Sequence, residues 1–120
     1  MERGEPQLST EFGRITIASG AIAQIVARTA ERCYGVVGMG GSGARARVER
    51  FLPRRGTQGI SVSANGEGIE LDLHVVVEYG LNLAEVAATI SSQVQYEVER
   101  LTGLPVASVD VHIQDVRQSA

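Results

Sequence analysis

The chain has 120 residues, of which 43% are hydrophobic and 21% charged, a composition typical of a globular domain rather than a disordered chain. With no tryptophan and 4% aromatic residues it has few rings for stacking on bases, and its single cysteine excludes an internal disulfide and zinc sites built on several cysteines. The net charge of −3 excludes a general nucleic-acid coat, although all eleven basic residues are arginines.

The N-terminal residues contain no apolar segment of the secretory type, and no apolar run approaches the roughly 18 residues of a membrane span. We therefore expect a cytoplasmic protein. Residues 1–12 show no periodicity and are predicted to be a flexible tail, followed by one domain at 13–117.

The first predicted elements are a short strand in RITIA and a helix of about four turns. Ser19 is the expected N-cap of this helix and Gly35 its expected end. Its apolar face comprises Ile22, Ile25, Val26, Thr29, Ala30 and Cys33. Cys33 is thus expected to be a small core residue, and VVGM is expected to form a second strand.

A glycine- and arginine-rich segment follows, in which we expect a connector at 40–56. Its glycines match G-x-G-x-x-G, but Pro53 would end the long helix that a dinucleotide site needs. A P-loop is excluded because the chain has no lysine, and GMGG follows a strand-like run, whereas a KH domain places GXXG between helices. Five arginines remain as candidate contacts for an acidic protein surface, a nucleic acid or an anionic lipid: Arg45, Arg47, Arg50, Arg54 and Arg55. The favoured interpretation is a solvated connector.

The runs GISVS and GIELDLHVVVEYG are joined by ANGEG, and Asn-Gly readily adopts the positive φ angles of a tight hairpin turn. The second run alternates in hydrophobicity. Its predicted core side is Ile69, Leu71, Leu73, Val75 and Val77. Its predicted solvent side is Glu70, Asp72, His74, Val76 and Glu78.

The strongest helix pattern is NLAEVAATISSQVQYEVERLTG, in which Asn82 is the expected N-cap, Glu85 its capping-box partner and Gly103 the end. Its predicted buried stripe is Leu83, Val86, Ala87, Ile90, Val94, Val98 and Leu101. A last strand buries Val109, Val111 and Ile113 and exposes Asp110, His112 and Gln114. The order β-α-β-β-β-α-β predicts an α+β two-layer sandwich, with two helices packed on one face of a mixed sheet.

The open sheet face carries both histidines. If the two strands were neighbours, Asp72, His74, Asp110 and His112 would approach the geometry of a metal site, but the sequence leaves the register open. Solvated histidines are the favoured interpretation. No spacing indicates a catalytic triad, so we expect no catalytic residue, no metal and no cofactor.

Read end to end, the chain resembles the alkaline shock protein family of bacterial envelope stress proteins. The resemblance runs over about residues 12–116, from GRITIASGAIAQIVARTAERCYGVVGM through GISV and NGEGIELDLHVVVEYGLNLAEVA to VERLTGLPVASVDVHIQDV. It implies a small non-enzymatic α+β domain that reaches the membrane through partners and self-associates.

These observations lead to a scaffolding or protein-interaction domain of an envelope stress response, with a protein partner that is membrane-anchored or a second copy of the chain. The expected contact surface is a sheet edge or the open face, comprising Glu70, Asp72, His74, Val76, Glu78, Asp110, His112 and Gln114. The alternative is nucleic-acid binding through the arginines at 45–55.

Overall fold

A computed structural model describes residues 6–39 and 59–118. In chain order the described elements are β1 (Gln7–Thr10), β2 (Gly13–Thr16), α1 (Ser19–Glu31), β3 (Val36–Met39), β4 (Ile60–Asn65), β5 (Gly68–Glu78), α2 (Leu83–Thr102) and β6 (Val106–Arg117).

The main sheet is organised around β5. One edge of β5 pairs antiparallel with β4 along its first half and with β3 along its second half, and its other edge pairs parallel with β6. The sheet is therefore mixed. The alternation predicted for β5 is confirmed, since its core side is at most 1% exposed: Ile69, Leu71, Leu73, Val75 and Val77.

Both described helices close the core from one side of this sheet. Buried residues of α1, such as Ile22 and Val26, and of α2, such as Ile90 and Val94, join the core side of β5 in one cluster. The predicted α+β class, with two helices on one face of a mixed sheet, is confirmed. The three residues of β6 predicted to be buried are only half-buried, because β6 is at the edge of the sheet that the described residues form: Val109, Val111 and Ile113.

The N-terminal residues differ from the predicted tail. Residues 7–10, which lie within that stretch, form β1 and pair antiparallel with β2 in a separate two-stranded sheet, so the element order gains one strand. The amide of Ile17 donates to the carbonyl of Pro6 at 2.9 Å and closes the base of this hairpin. Phe12 at its tip is 91% exposed.

Only one of the two predicted side-chain caps forms. Oδ1 of Asn82 accepts from the amide of Glu85 at 3.0 Å, so the cap of α2 is confirmed. The N-cap of α1 is Ala18 and makes no side-chain cap bond, so the prediction for Ser19 is wrong. This helix also ends at Glu31, four residues before Gly35, and a turn covers the difference.

The hairpin between β4 and β5 is confirmed, but its turn differs from the predicted one. Positive φ occurs at Gly68, at 139°, and not at Asn65 or Gly66. Oδ1 of Asn65 accepts from the amides of Glu67 and Gly68 at 2.7 and 3.1 Å, so the asparagine closes the turn with its side chain.

Candidate functional site on the outward sheet face

The face of the sheet opposite α1 and α2 carries the even-numbered side chains of β5 and their neighbours on β6. Four residues of the predicted contact surface are exposed there: Glu70, Asp110, His112 and Gln114. Asp72, His74 and Glu78 are half-buried. Val76 is only 4% exposed, so its assignment to the contact surface is wrong. Its ladder neighbour on β3 is Gly38.

Three side chains of this face converge in what we call the His–Asp–His cluster: Asp72, His74 and His112. Nε2 of His112 donates to Oδ1 of Asp72 at 2.7 Å, and Nε2 of His74 lies 3.8 Å from Oδ2 of the same carboxylate. The two imidazoles stack, with ring centroids 4.6 Å apart and planes inclined by 13°. Their side chains and that of Asp72 are 41 to 51% exposed, so the cluster is accessible to solutes.

The register between β5 and β6 creates this cluster. His74 is directly beside His112 in the parallel ladder, and Asp72 is beside Asp110. Two irregularities interrupt the ladder, between Ile69 and Glu70 and between Val75 and Val76. If β6 shifted by one residue along β5, the two histidines would no longer be neighbours, and each would lie beside a residue that now belongs to the core side. Sequence reasoning found all three residues but had no signal for the register that joins them.

Polar neighbours surround the cluster without joining it. Asp72 is beside Ser61 of β4, and Glu70 is beside Ser63. The Glu70 carboxylate accepts hydrogen bonds from the hydroxyl of Ser63 and the side-chain amide of Asn65. Glu70 is therefore a carboxylate of the same face that has its own partners.

The outer edge of β6 is the second feature of this region. Within residues 6–39 and 59–118, β6 pairs with β5 and with no other strand. It is 12 residues long. Exposed edges of this length present a row of unpaired N–H and C=O groups to any further strand.

The direction of those groups follows from the bonds of β5. Even-numbered residues donate their amides away from β6: His74 donates to the carbonyl of Gly59, and Glu78 donates to that of Gly35. Odd-numbered residues donate on the side of β6: Ile69 donates to the carbonyl of Pro105, and Tyr79 donates to that of Arg117. Odd-numbered residues of β5 thus bond to β6. In a parallel ladder the β6 residues beside them then direct their backbone groups to the open edge: Val109, Val111 and Ile113.

Two other predicted features are not part of this surface. The candidate contacts Arg45, Arg47, Arg50, Arg54 and Arg55, and the expected connector at 40–56, lie outside the described residues. Cys33 is half-buried, its thiol donates to the carbonyl of Thr29 at 3.4 Å, and burial raises the pKa of this thiol. It lines a cleft of about 250 Å³ between the helices.

Neither helix of the described parts of the chain is long and apolar enough to cross a lipid bilayer.

Comparison with known proteins gives matches along nearly the whole chain. The model of the alkaline shock protein 23 family, described by a cell envelope-related function, matches residues 7–118. A Bacillus subtilis (strain 168) protein named "Uncharacterized protein YloU" is 34% identical over 113 residues, which cover 92% of this chain and 94% of that protein. A Streptococcus pyogenes serotype M3 protein named "Stress response regulator gls24 homolog" is 28% identical over 106 residues, 88% of this chain and 59% of that protein.

Among solved structures, a variant of MamM CTD is 21% identical, has a TM-score of 0.49 and covers 79% of this chain and 92% of its own. Since the family model spans almost the whole sequence, the chain belongs to the alkaline shock protein 23 family, which has a cell envelope-related function.

Proposed function

We propose that this domain is a non-enzymatic interaction module of an envelope stress response, and that it assembles with a second copy of itself through β6. The stress role is supported by the similarity to the Streptococcus stress response regulator homologue, and the envelope role by the family. The observation that carries the assembly is the outer edge of β6, which has no partner strand in the described parts of the chain.

The half-buried core residues of β6 favour this assembly. Val109, Val111 and Ile113 point to the helix side but stay partly exposed, because nothing described lies beyond β6. A second copy paired with this edge would cover the remaining apolar surface. It would also give hydrogen-bond partners to the outward N–H and C=O groups of β6. Burying such backbone groups in an interface without partners would cost free energy.

The sequence of β6 is suited to antiparallel pairing with itself. If a two-fold axis passes beside Val111, Val109 lies opposite Ile113 of the partner subunit, so apolar residues meet on the core side. On the outward face Asp110 lies opposite His112 of the partner subunit, which places an acidic group against an imidazole. The backbone of β6 is compatible with this register. Val111 directs its N–H and C=O to the open edge and would exchange both hydrogen bonds with Val111 of the partner subunit.

Disulfide trapping tests this register. In a Cys33→Ser background, Val111→Cys should form a covalent dimer on mild oxidation. Hydrogen-bonded antiparallel pairs have Cα atoms about 5.5 Å apart, within the roughly 4.4–6.8 Å range of disulfides. Val109→Cys is the matched control and should not cross-link with itself. When the Val109→Cys chain is mixed with an Ile113→Cys chain of different mass, the two should form a disulfide-linked heterodimer, because these positions lie opposite each other in the proposed register.

Sedimentation velocity of the native chain gives the independent readout. A monomer–dimer equilibrium that shifts with concentration is expected. A chain that remains monomeric at high concentration, with no cross-link from Val111→Cys, would refute pairing through β6. Cross-linking of Val109→Cys with itself would instead show a different register.

A further inference from the structure

We propose that Asp72, His74 and His112 bind one transition-metal ion of the zinc class. All three protein ligands come from one chain, so the proposal does not depend on assembly through β6. It assigns a chemical role to the cluster beyond the envelope function of the family.

The three donors already converge. One ligand atom of each residue lies within 4.8 Å of the other two, and the closest pair, Nε2 of His112 and Oδ1 of Asp72, is 2.7 Å apart. Zinc bound to nitrogen and oxygen at about 2.0–2.2 Å needs donor atoms roughly 3.3 Å apart in a tetrahedron. The cluster brackets this spacing. Because the two imidazoles are stacked with nearly parallel planes, their rings must rotate before both nitrogen lone pairs point at one ion.

The backbone holds the donors in place. His74 and His112 are neighbours in a parallel ladder, and Asp72 is two residues from His74 on the same strand and face. Because each side chain leaves a paired strand, binding orders only side-chain torsions and no loop. A site of this kind loses little conformational entropy when it is filled.

The second histidine is the reason to infer more than a hydrogen-bonded pair. Asp72 already has one imidazole partner, yet His74 directs its Nε2 to the other carboxylate oxygen at 3.8 Å, beyond hydrogen-bond distance. An ion at this point would bond to all three groups. It would take the place of the hydrogen bond between Nε2 of His112 and Oδ1 of Asp72.

The donor set selects the class of ion. Two imidazole nitrogens favour zinc, nickel or copper, whereas magnesium and calcium prefer sites made only of oxygen. Exposure of the three side chains at 41 to 51% leaves a fourth position open to water or to an external group.

Isothermal titration calorimetry of the full chain without a histidine tag, titrated with zinc chloride, tests the proposal. One site per chain is expected in the native protein. His74→Gln and His112→Gln should each weaken zinc binding by more than about tenfold, because losing even a residue that only orients a metal ligand costs about 10–100-fold. Glu70→Gln is the matched control, since it removes a carboxylate from the same face and should leave zinc affinity unchanged.

Thermal unfolding of the same four proteins provides the second readout. At one zinc concentration, zinc should raise the midpoints of the native chain and of Glu70→Gln equally, and raise those of both histidine variants by clearly less. Absence of zinc binding by the native chain would overturn the proposal. So would equal zinc affinity in the native chain and the two histidine variants, because the zinc would then be bound elsewhere.

Discussion

Gly68 lies directly against the carbonyl oxygen of Pro105. A Cβ at Gly68 would be 2.6 Å from that oxygen, and the residue has φ of 139°, which L side chains rarely adopt. The same carbonyl accepts the amide of Ile69 at 2.9 Å, where the parallel pairing of β5 and β6 begins. The missing side chain therefore permits the strand contact on which the outward face depends.

Gly68→Ala should destabilise the fold by about 1–3 kcal/mol, because the substitution combines a backbone clash with an unfavourable φ. Urea unfolding monitored by circular dichroism measures the difference. Gly66→Ala, two residues away, has no atom within 4 Å of the added Cβ and should change the free energy of unfolding by less than about 0.5 kcal/mol. Equal effects at the two glycines would contradict the close approach.

Helix α2 offers a second comparison, because its sequence suggested one apolar stripe while the structure buries only part of it. Ile90 is 0% exposed and Leu101 is 54% exposed. We expect Ile90→Ala to cost about 2–5 kcal/mol and Leu101→Ala less than about 1 kcal/mol in urea unfolding. If the two cost the same, Leu101 is covered by a part of the chain or a partner that the described residues do not include.

The same helix shows why a stripe read from sequence is only partly right. Its buried residues recur every four positions: Val86, Ile90, Val94, Val98 and Thr102. Since a helix has about 3.6 residues per turn, this spacing advances about 40° per step and the buried side winds around the helix. Leu83 and Leu101 fit the average direction of the stripe but not its direction at either end.

Sequence patterns predicted local features well where one strong preference decides the outcome. The alternation along β5 predicts which side chains are buried, because a slip of one residue would expose all five. Asn82 caps α2 through its own side chain. The His–Asp–His cluster depends instead on the register between strands separated by α2, including two irregularities, and no local pattern encodes that register.

The single cysteine should make stability depend on pH in the alkaline range. Burial raises the pKa of the Cys33 thiol, so above the ordinary cysteine pKa of about 8.5 the unfolded chain loses this proton before the folded chain does. The unfolded state then binds fewer protons, and stability falls as pH rises towards the folded pKa.

Urea unfolding at about pH 7.5 and about pH 9.5, below and above the ordinary cysteine pKa, measures this fall in stability. The Cys33→Ala variant is the control. The variant retains every other titrating group and should lose less stability over the same interval. A matching loss in both proteins would show that other groups cause the alkaline destabilisation.

The zinc site and assembly through β6 should be thermodynamically linked if both proposals hold. In the two-fold register beside Val111, Asp110 of the partner subunit lies opposite His112 and can fill the fourth position of a zinc ion held by Asp72, His74 and His112. Zinc would then bind the dimer more tightly than the monomer, and by reciprocity it would strengthen dimerisation by the same factor.

Sedimentation velocity with and without zinc should therefore show a dimer that dissociates at lower protein concentration when zinc is present. Asp110→Asn should remove this dependence while leaving the zinc affinity of the monomer intact, because its carboxylate is not one of the three ligands within a chain. A zinc effect on dimerisation that persists in Asp110→Asn would assign the fourth position to another group. If zinc has no effect on dimerisation of the native chain, water occupies the fourth position of the zinc ion. Zinc binding and assembly through β6 are then independent.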